Sequence, residues 1–212
     1  MTTMPELYAD CVEAVASLAG SLSGEQLALP VPGTPDWTVH QLLAHIVGCG
    51  SDGARGRMDG APGPAWSARQ VSERIDRSPA ELVAELRSNA PVLAATAEGN
   101  PRPALVWDIS VHLADLHEAL GIGRPDEELW EPVLEMAAPW KLGPLRVTVR
   151  ADGGTWGSGP DVEVDPYELF RSLFSRRSRS QMRAWGAPEL SDVQLDELPV
   201  FGPRDDDQPQ PQ

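Results

Sequence analysis

Lysine is nearly missing from this chain. Lys141 is the only one in 212 residues, and the other sixteen basic residues are arginines. Isoleucine and asparagine are scarce too, which is the mark of GC-rich codon usage. An arginine here therefore carries no functional signal by itself. Positive charge is also short overall: 17 basic against 32 acidic side chains give a formal charge of −15. A surface this acidic repels phosphate backbones and anionic lipid heads, so binding of nucleic acid or a membrane surface is not expected. The only two cysteines, Cys11 and Cys49, cannot build a disulfide framework, and a reducing, cytoplasmic setting is the expectation. No apolar run reaches the roughly 18 residues of a membrane span. No basic stretch precedes an apolar run near Met1, so no secretory signal is expected. What remains is a chain with 41% hydrophobic residues, enough for a real core. Its length suits one large domain or two small ones at about 150 residues each.

The first half reads as helical. Pro5 suits a first helical turn, and Leu7, Cys11, Val15, Leu18 and Leu22 follow at helical spacing. Three prolines and a glycine make 29–37 a loop. Thr38-Val39-His40-Gln41 has the form of a capping box, with Val39, Leu42, Leu43, Ile46 and Val47 as the apolar stripe behind it. The glycine-rich stretch 48–64 reads as a long mobile connection, followed by a short helix over 67–74. Ser78-Pro79-Ala80-Glu81 starts a helix that should reach Ala97. Another runs from Ala104 to Leu120 and stops at Gly121, and a further helix is expected over 127–137.

The period changes after Gly143. Leu145, Val147 and Val149 alternate with Arg146, Thr148 and Arg150, as in a half-buried strand. Asp152-Gly153-Gly154 reads as a hairpin turn, 155–157 as its return strand and 161–164 as a third strand. Asp165-Pro166-Tyr167-Glu168 opens a helix expected to continue through Arg176-Arg177-Ser178-Arg179. The expected fold class is α+β: an N-terminal four-helix bundle over 1–140, a small α/β domain over 143–202, and a disordered acidic tail over 203–212.

The chemistry concentrates on Asp108 and His112, which project one turn apart from the same helix face. A carboxylate at the edge of a core is costly unless it is paired or holds a cation. Together with His45, on the stripe of the Thr38 helix, they offer two imidazoles and one carboxylate to a divalent metal, leaving positions open for substrate. Alternatives stand beside this. Asp108 and His112 can form an ordinary hydrogen bond. Asp115 can replace Asp108 as the ligand. Cys49 can in principle bind metal through its thiolate, although it reads more simply as a small core or loop residue, and Cys11 reads as packing. Trp37 and Trp107 flank the two motifs and are candidates for lining a pocket; the other five tryptophans read as packing.

Several of these segments taken in order resemble a known family. Trp37-Thr38-Val39 with Leu42-Leu43-Ala44-His45 is similar to the opening signature of DinB-like metal-binding bundles. Trp66, Gln70-Val71 and Arg74, then Asp108-x-x-x-His112-x-x-Asp115-x-x-x-Ala119-Leu120-Gly121, resemble the mycothiol-dependent maleylpyruvate isomerase family. Leu169 to Leu173 and Arg176 to Gln181 resemble the helix of its smaller C-terminal domain. The resemblance covers about residues 8–204. It implies a zinc-type metal held by His45, Asp108 and His112, with aspartate where glutamate is usual. It also implies mycothiol as thiol cofactor, and carboxylate-binding roles for Arg74 and for Arg176 or Arg177. The implied activity is isomerisation of a small electrophilic acid: thiolate adds to an activated double bond, the bond rotates, and elimination restores it. The same site could instead serve a mycothiol S-transferase, or a non-catalytic metal or ligand carrier. The expected partners are a small electrophile and a low-molecular-weight thiol, with the chain a monomer or homodimer. Neither cysteine of the chain is needed as the nucleophile.

Overall fold

Local capping chemistry sets most of the helix starts. In the computed structural model, which describes residues 2–145, 147–185 and 190–211, reciprocal capping boxes open several helices of the N-terminal half. Thr3 with Glu6 opens α1 (Met4–Ser21), Ser23 with Gln26 opens the short α2 (Gly24–Leu27), and Thr38 with Gln41 opens α3 (Val39–Arg55). Each pair satisfies two of the backbone N–H groups that a helix start leaves unbonded. Pro64 begins α4 (Pro64–Ser72). Ser78 with Glu81 opens α5 (Pro79–Ala97), and α6 (Ala104–Leu120) ends where Gly121 turns left-handed at φ 63°.

The chain divides into two units. One comprises the residues up to Leu129 together with Pro211; the other is Trp130–Gln210. In the first, α1, α3, α5 and α6 pack as the expected four-helix bundle, with α4 against α3. Leu7, Val15, Leu42, Leu43, Ile46, Leu82, Leu86, Leu113 and Leu116 fill its core. No helix among the described residues is long and apolar enough to cross a membrane.

The stretch 48–64 departs from expectation. It is not a mobile connection: α3 continues through Gly48, Cys49 and Gly50 to Arg55, and left-handed Gly56 closes it. Two of its glycines stand at close approaches to neighbouring helices. A Cβ on Gly48 would stand 2.4 Å from Gln70 Cβ on α4, and one on Gly53 would stand 2.3 Å from Leu105 Cδ1 on α6. Neighbouring elements occupy the space that side chains would take.

In the second unit, α7 (Glu131–Leu142) packs against a helix and a strand of the same unit. The sequence reading places the division at 140–143, at the end of this helix and not at its start. Three strands follow: β1 (Thr148–Ala151), β2 (Gly154–Gly157) and β3 (Asp161–Glu163). The sheet order is β2-β1-β3, with β1 antiparallel to β2 through the Asp152-Gly153 turn and parallel to β3. The inward alternation holds, with Leu145, Val147, Val149 and Ala151 buried, but the paired strand starts at Thr148. Arg146, which the alternation includes, lies outside the described residues.

Asp165 caps α8 (Pro166–Leu173) through the Glu168 N–H. That helix stops before the arginine run. Ser175 adopts φ 64°, a conformation no helix continues through, and Ser178 caps a separate α9 (Arg179–Arg183). A last helix, α10, spans Asp192–Glu197. The stretch expected to be a disordered tail carries no helix or strand, yet it is bonded back onto α9. Gln181 Nε2 donates to the Gln208 carbonyl at 2.7 Å, and Gln208 N–H donates to Gln181 Oε1 at 3.1 Å.

Candidate metal centre

Two bundle helices meet at one point through their polar residues. From α3 come His45 and, one turn later, Cys49; from α6 come Asp108 and, one turn later, His112. Asp108 Oδ1 lies 3.8 Å from His45 Nε2 and 3.5 Å from His112 Nε2. The two imidazole rings stand perpendicular with centroids 5.0 Å apart. Cys49 Sγ lies 3.4 Å from His45 Nε2, and ligand atoms of His45, Cys49 and Asp108 all fall within 4.8 Å of one another. Both histidines and Cys49 are buried, whereas the Asp108 side chain keeps 25% of its surface and forms the open edge.

Asp115 has a different task from the one the sequence allowed for. Its Oδ2 accepts a hydrogen bond from His112 Nδ1 at 2.9 Å, and its side chain is fully buried. A carboxylate only accepts, so Nδ1 carries a hydrogen, and in the neutral ring the lone pair falls on Nε2, the nitrogen on the Asp108 side. This is the bracing a metal-binding histidine usually receives from behind. Asp115 is therefore the orienting carboxylate and Asp108 the one facing the cluster.

Electrostatics fit the same picture. Burial penalises the Asp108 charge, yet the His112 and His45 rings hold its carboxyl well below the usual range. Burial works against charge on His112, but Asp108 and Asp115 lift it above an ordinary histidine. Burial, then the Asp108 charge, pushes the Cys49 thiol well up. Asp108 Oδ2 is buried and has no hydrogen-bond partner among the described residues. An unpaired buried carboxylate oxygen costs on the order of 1–3 kcal/mol, and a cation would remove that cost. Metal–ligand bonds of about 2.0–2.3 Å in a tetrahedron imply ligand–ligand edges of about 3.3–3.8 Å. The spacings of 3.4, 3.5 and 3.8 Å lie in that range. The set His45, Cys49 and Asp108 fits a divalent cation, and His112 meets it through Asp108.

An enclosing shell surrounds the cluster. Trp37 packs on the His45 ring at 4.6 Å. Trp66, read from sequence as packing, meets the same ring edge-on at 6.2 Å and donates its Nε1–H to the Arg57 carbonyl. Trp107 is buried on α6. Gln70 was not singled out as a site residue, because a lone glutamine on a short helix carries no pattern. Its Nε2 donates to Asp52 at 2.9 Å, which turns its Oε1 toward Cys49 Sγ, 3.6 Å away. Asp52 is itself held by Arg69 at 2.6 Å and Arg57 at 2.8 Å.

The three arginines each hold partners of their own. Arg74 is buried and engaged: Nε and Nη2 bond the Glu85 carboxylate at 3.2 and 2.8 Å, and Nη1 bonds the Gln70 carbonyl and Glu73. Arg176 and Arg177 stand in the second unit. Arg177 grips Glu168 through Nε and Nη2 at 2.6 and 2.8 Å, and Arg176 Nη1 donates to the Phe174 carbonyl at 2.8 Å.

Comparison with known proteins agrees with this architecture. A solved structure described as the mycothiol-dependent maleylpyruvate isomerase superposes with a TM-score of 0.54, covering 83% of this chain and 92% of that one at 12% identity. At that identity the likeness speaks for the α+β fold alone. No curated protein sequence matches the chain. The family model for the mycothiol maleylpyruvate isomerase N-terminal domain matches residues 8–142, which contain every residue of the cluster. With almost two thirds of its length matched, the chain belongs to the mycothiol maleylpyruvate isomerase N-terminal domain family.

Proposed function

We propose that this protein is a metal-assisted, mycothiol-dependent enzyme of the maleylpyruvate isomerase type, acting on a small electrophilic acid. The observation that carries the proposal is the convergence of His45 Nε2 and His112 Nε2 on Asp108 Oδ1, with Asp115 fixing the His112 tautomer. His45, Asp108 and His112 would hold the cation, and two imidazoles with a carboxylate are a donor set that suits zinc. When bound, such a cation lowers the pKa of a coordinated thiol so that thiolate exists at neutral pH.

The chain's own residues supply the rest. Asp108 contributes the anionic ligand and the partly open edge through which a thiol can enter. His45 is held by Trp37 and Trp66, whose rings exclude water from one side of the site. Asp115 fixes the hydrogen of the neutral His112 ring on Nδ1, so that Nε2 offers its lone pair to the cation once the ring's second proton has left. The chemistry a bound thiol would supply here is addition to a double bond conjugated to a carbonyl, which would free that bond to rotate before elimination returned the trans acid and the thiol. A reducing, cytoplasmic compartment suits such a thiol.

One observation favours S-transfer as a second reading. Carboxylate recognition by Arg74 would require exchanging the Glu85 carboxylate it already holds in two bonds. A transferase conjugating thiol to an uncharged electrophile makes no such demand.

The test is metal analysis of the purified protein, followed by mycothiol-dependent turnover of maleylpyruvate. His112→Ala is expected to lower metal affinity by roughly a hundredfold or more, beyond the 10–100-fold typical of outer partners, and to abolish turnover. A folded His112→Ala variant with unchanged metal content would refute the ligand assignment. A stable thiol adduct detected by mass spectrometry, without release of free thiol, would replace isomerisation by S-transfer.

A further inference from the structure

Cys49 has no part in that proposal, yet it stands inside the cluster. It follows His45 by one helical turn, so both side chains leave α3 on the same face at adjacent heights. Its sulfur is 3.4 Å from His45 Nε2, the same nitrogen that faces Asp108. Gln70 decides how the thiol points. Because Gln70 Nε2 is committed to Asp52, its Oε1 is the acceptor for the Cys49 S–H at 3.6 Å. The same sulfur lies within reach of the imidazole nitrogen and of the Asp108 carboxylate. Cys49 is buried and α3 is uninterrupted through it, so the sulfur is positioned by regular backbone. The unpartnered Asp108 Oδ2 marks the same spot as one lacking a cation.

We propose that Cys49 is a further ligand of the metal centre, binding through its sulfur as thiolate after its proton passes to solvent. This rests on the metal reading above and deepens it. The donor set becomes two nitrogens, one oxygen and one sulfur. A four-ligand set of this kind closes a tetrahedral zinc site. External thiol then enters by displacing a protein ligand or by raising the coordination number, and it does not find a vacant position waiting. Sulfur also shifts metal preference toward softer ions.

Cobalt(II) reports sulfur ligation directly, because thiolate bound to cobalt gives an intense near-ultraviolet charge-transfer absorption that nitrogen and oxygen ligands do not. The protein is titrated with cobalt(II) in thiol-free buffer containing a phosphine reductant. The variant Cys11→Ser leaves Cys49 as the only thiol. It is expected to bind one cobalt with the full charge-transfer band. Cys49→Ser is expected to bind cobalt at least about tenfold more weakly and to lose the band. Stoichiometric cobalt binding by Cys11→Ser without the band overturns the Cys49 assignment and leaves the other three ligands standing. Absence of any cobalt binding by the wild-type protein overturns both readings together. Should Cys49→Ser fail to fold, the spectrum of Cys11→Ser alone decides.

Discussion

The bond from His112 to Asp115 offers the sharpest quantitative test. Replacing Asp115 by asparagine keeps the shape of a fully buried side chain and removes its charge. The 2.9 Å contact with Nδ1 then becomes an ordinary amide hydrogen bond, half as strong or less. It also loses its power to select the tautomer, since an amide can present either an acceptor or a donor. When Nδ1 faces the donor it must give up its hydrogen, and Nε2 then points one at the cluster. Loss of such an outer partner typically costs about 10–100-fold in metal affinity, or about 1.4–2.7 kcal/mol. The retained amide oxygen places Asp115→Asn in the lower half of that range. The assay is competition for zinc against a chromophoric chelator at alkaline pH, where proton competition at His112 is weakest. Asp115 also helps raise the His112 pKa, so the variant should lose less affinity on acidification than the wild type does. A folded Asp115→Asn protein with zinc affinity within twofold of the wild type would show that Asp115 does not brace a ligand, and the metal assignment of His112 would fall with it.

The metal-free protein should respond to pH in the opposite sense from the metal-loaded one. His112 has a folded pKa raised above about 6.5, so its contribution to stability is complete below that value and is lost as pH rises through the folded pKa. Asp108 has a lowered pKa, so its contribution is present above about 3.8 and disappears only under strong acid. Melting curves with chelator present should therefore show Tm falling from mildly acid to alkaline pH, while the increment from added zinc grows over the same range; a zinc increment that shrinks with pH would contradict ligation by His112. Separately, Gly48→Ala should destabilise by about 1–3 kcal/mol in urea melts, although alanine is the better helix former by about 1 kcal/mol. A neutral or stabilising result would show that α4 yields freely and that the 2.4 Å approach to Gln70 is not a constraint.

These cases also show which parts of the molecule the sequence discloses. Helix starts at Thr38, Ser78 and Asp165 were legible because a cap and its partner sit three residues apart, and the chemistry completes itself locally. The end of α6 at Gly121 was legible for the same reason. The run from Gly48 to Gly53 was misread because the reason for those glycines lies in Gln70 and Leu105, far along the chain. The extra helix break at Ser175 gave no warning, since serine seldom adopts a positive φ. At the site, i to i+4 spacing placed Asp108 and His112 together, and His45 joined them from its stripe. Spacing could not rank Asp115 against Asp108, because which nitrogen of His112 meets which carboxylate is settled only by the ring's rotation. Cys49 is visible as an i+4 neighbour of His45, but a cysteine on an apolar helix face is most often filler, and spacing alone does not separate filler from ligand.

The notches at Gly48 and Gly53 have a mechanical consequence. Helices can slip past one another along their axes when smooth surfaces meet, and each residue of slip carries a side chain about 1.5 Å. Here Gln70 of α4 and Leu105 of α6 seat into opposite flanks of α3 like pins in a keyed shaft. Sliding α3 by one residue would drive both pins against backbone that bears a Cβ. His45 and Cys49 ride on that shaft, so their height relative to Asp108 and His112 is locked when the bundle folds. A cation bound by these residues would find its donors already in register, and the ordering entropy of assembling them would not fall on the binding step.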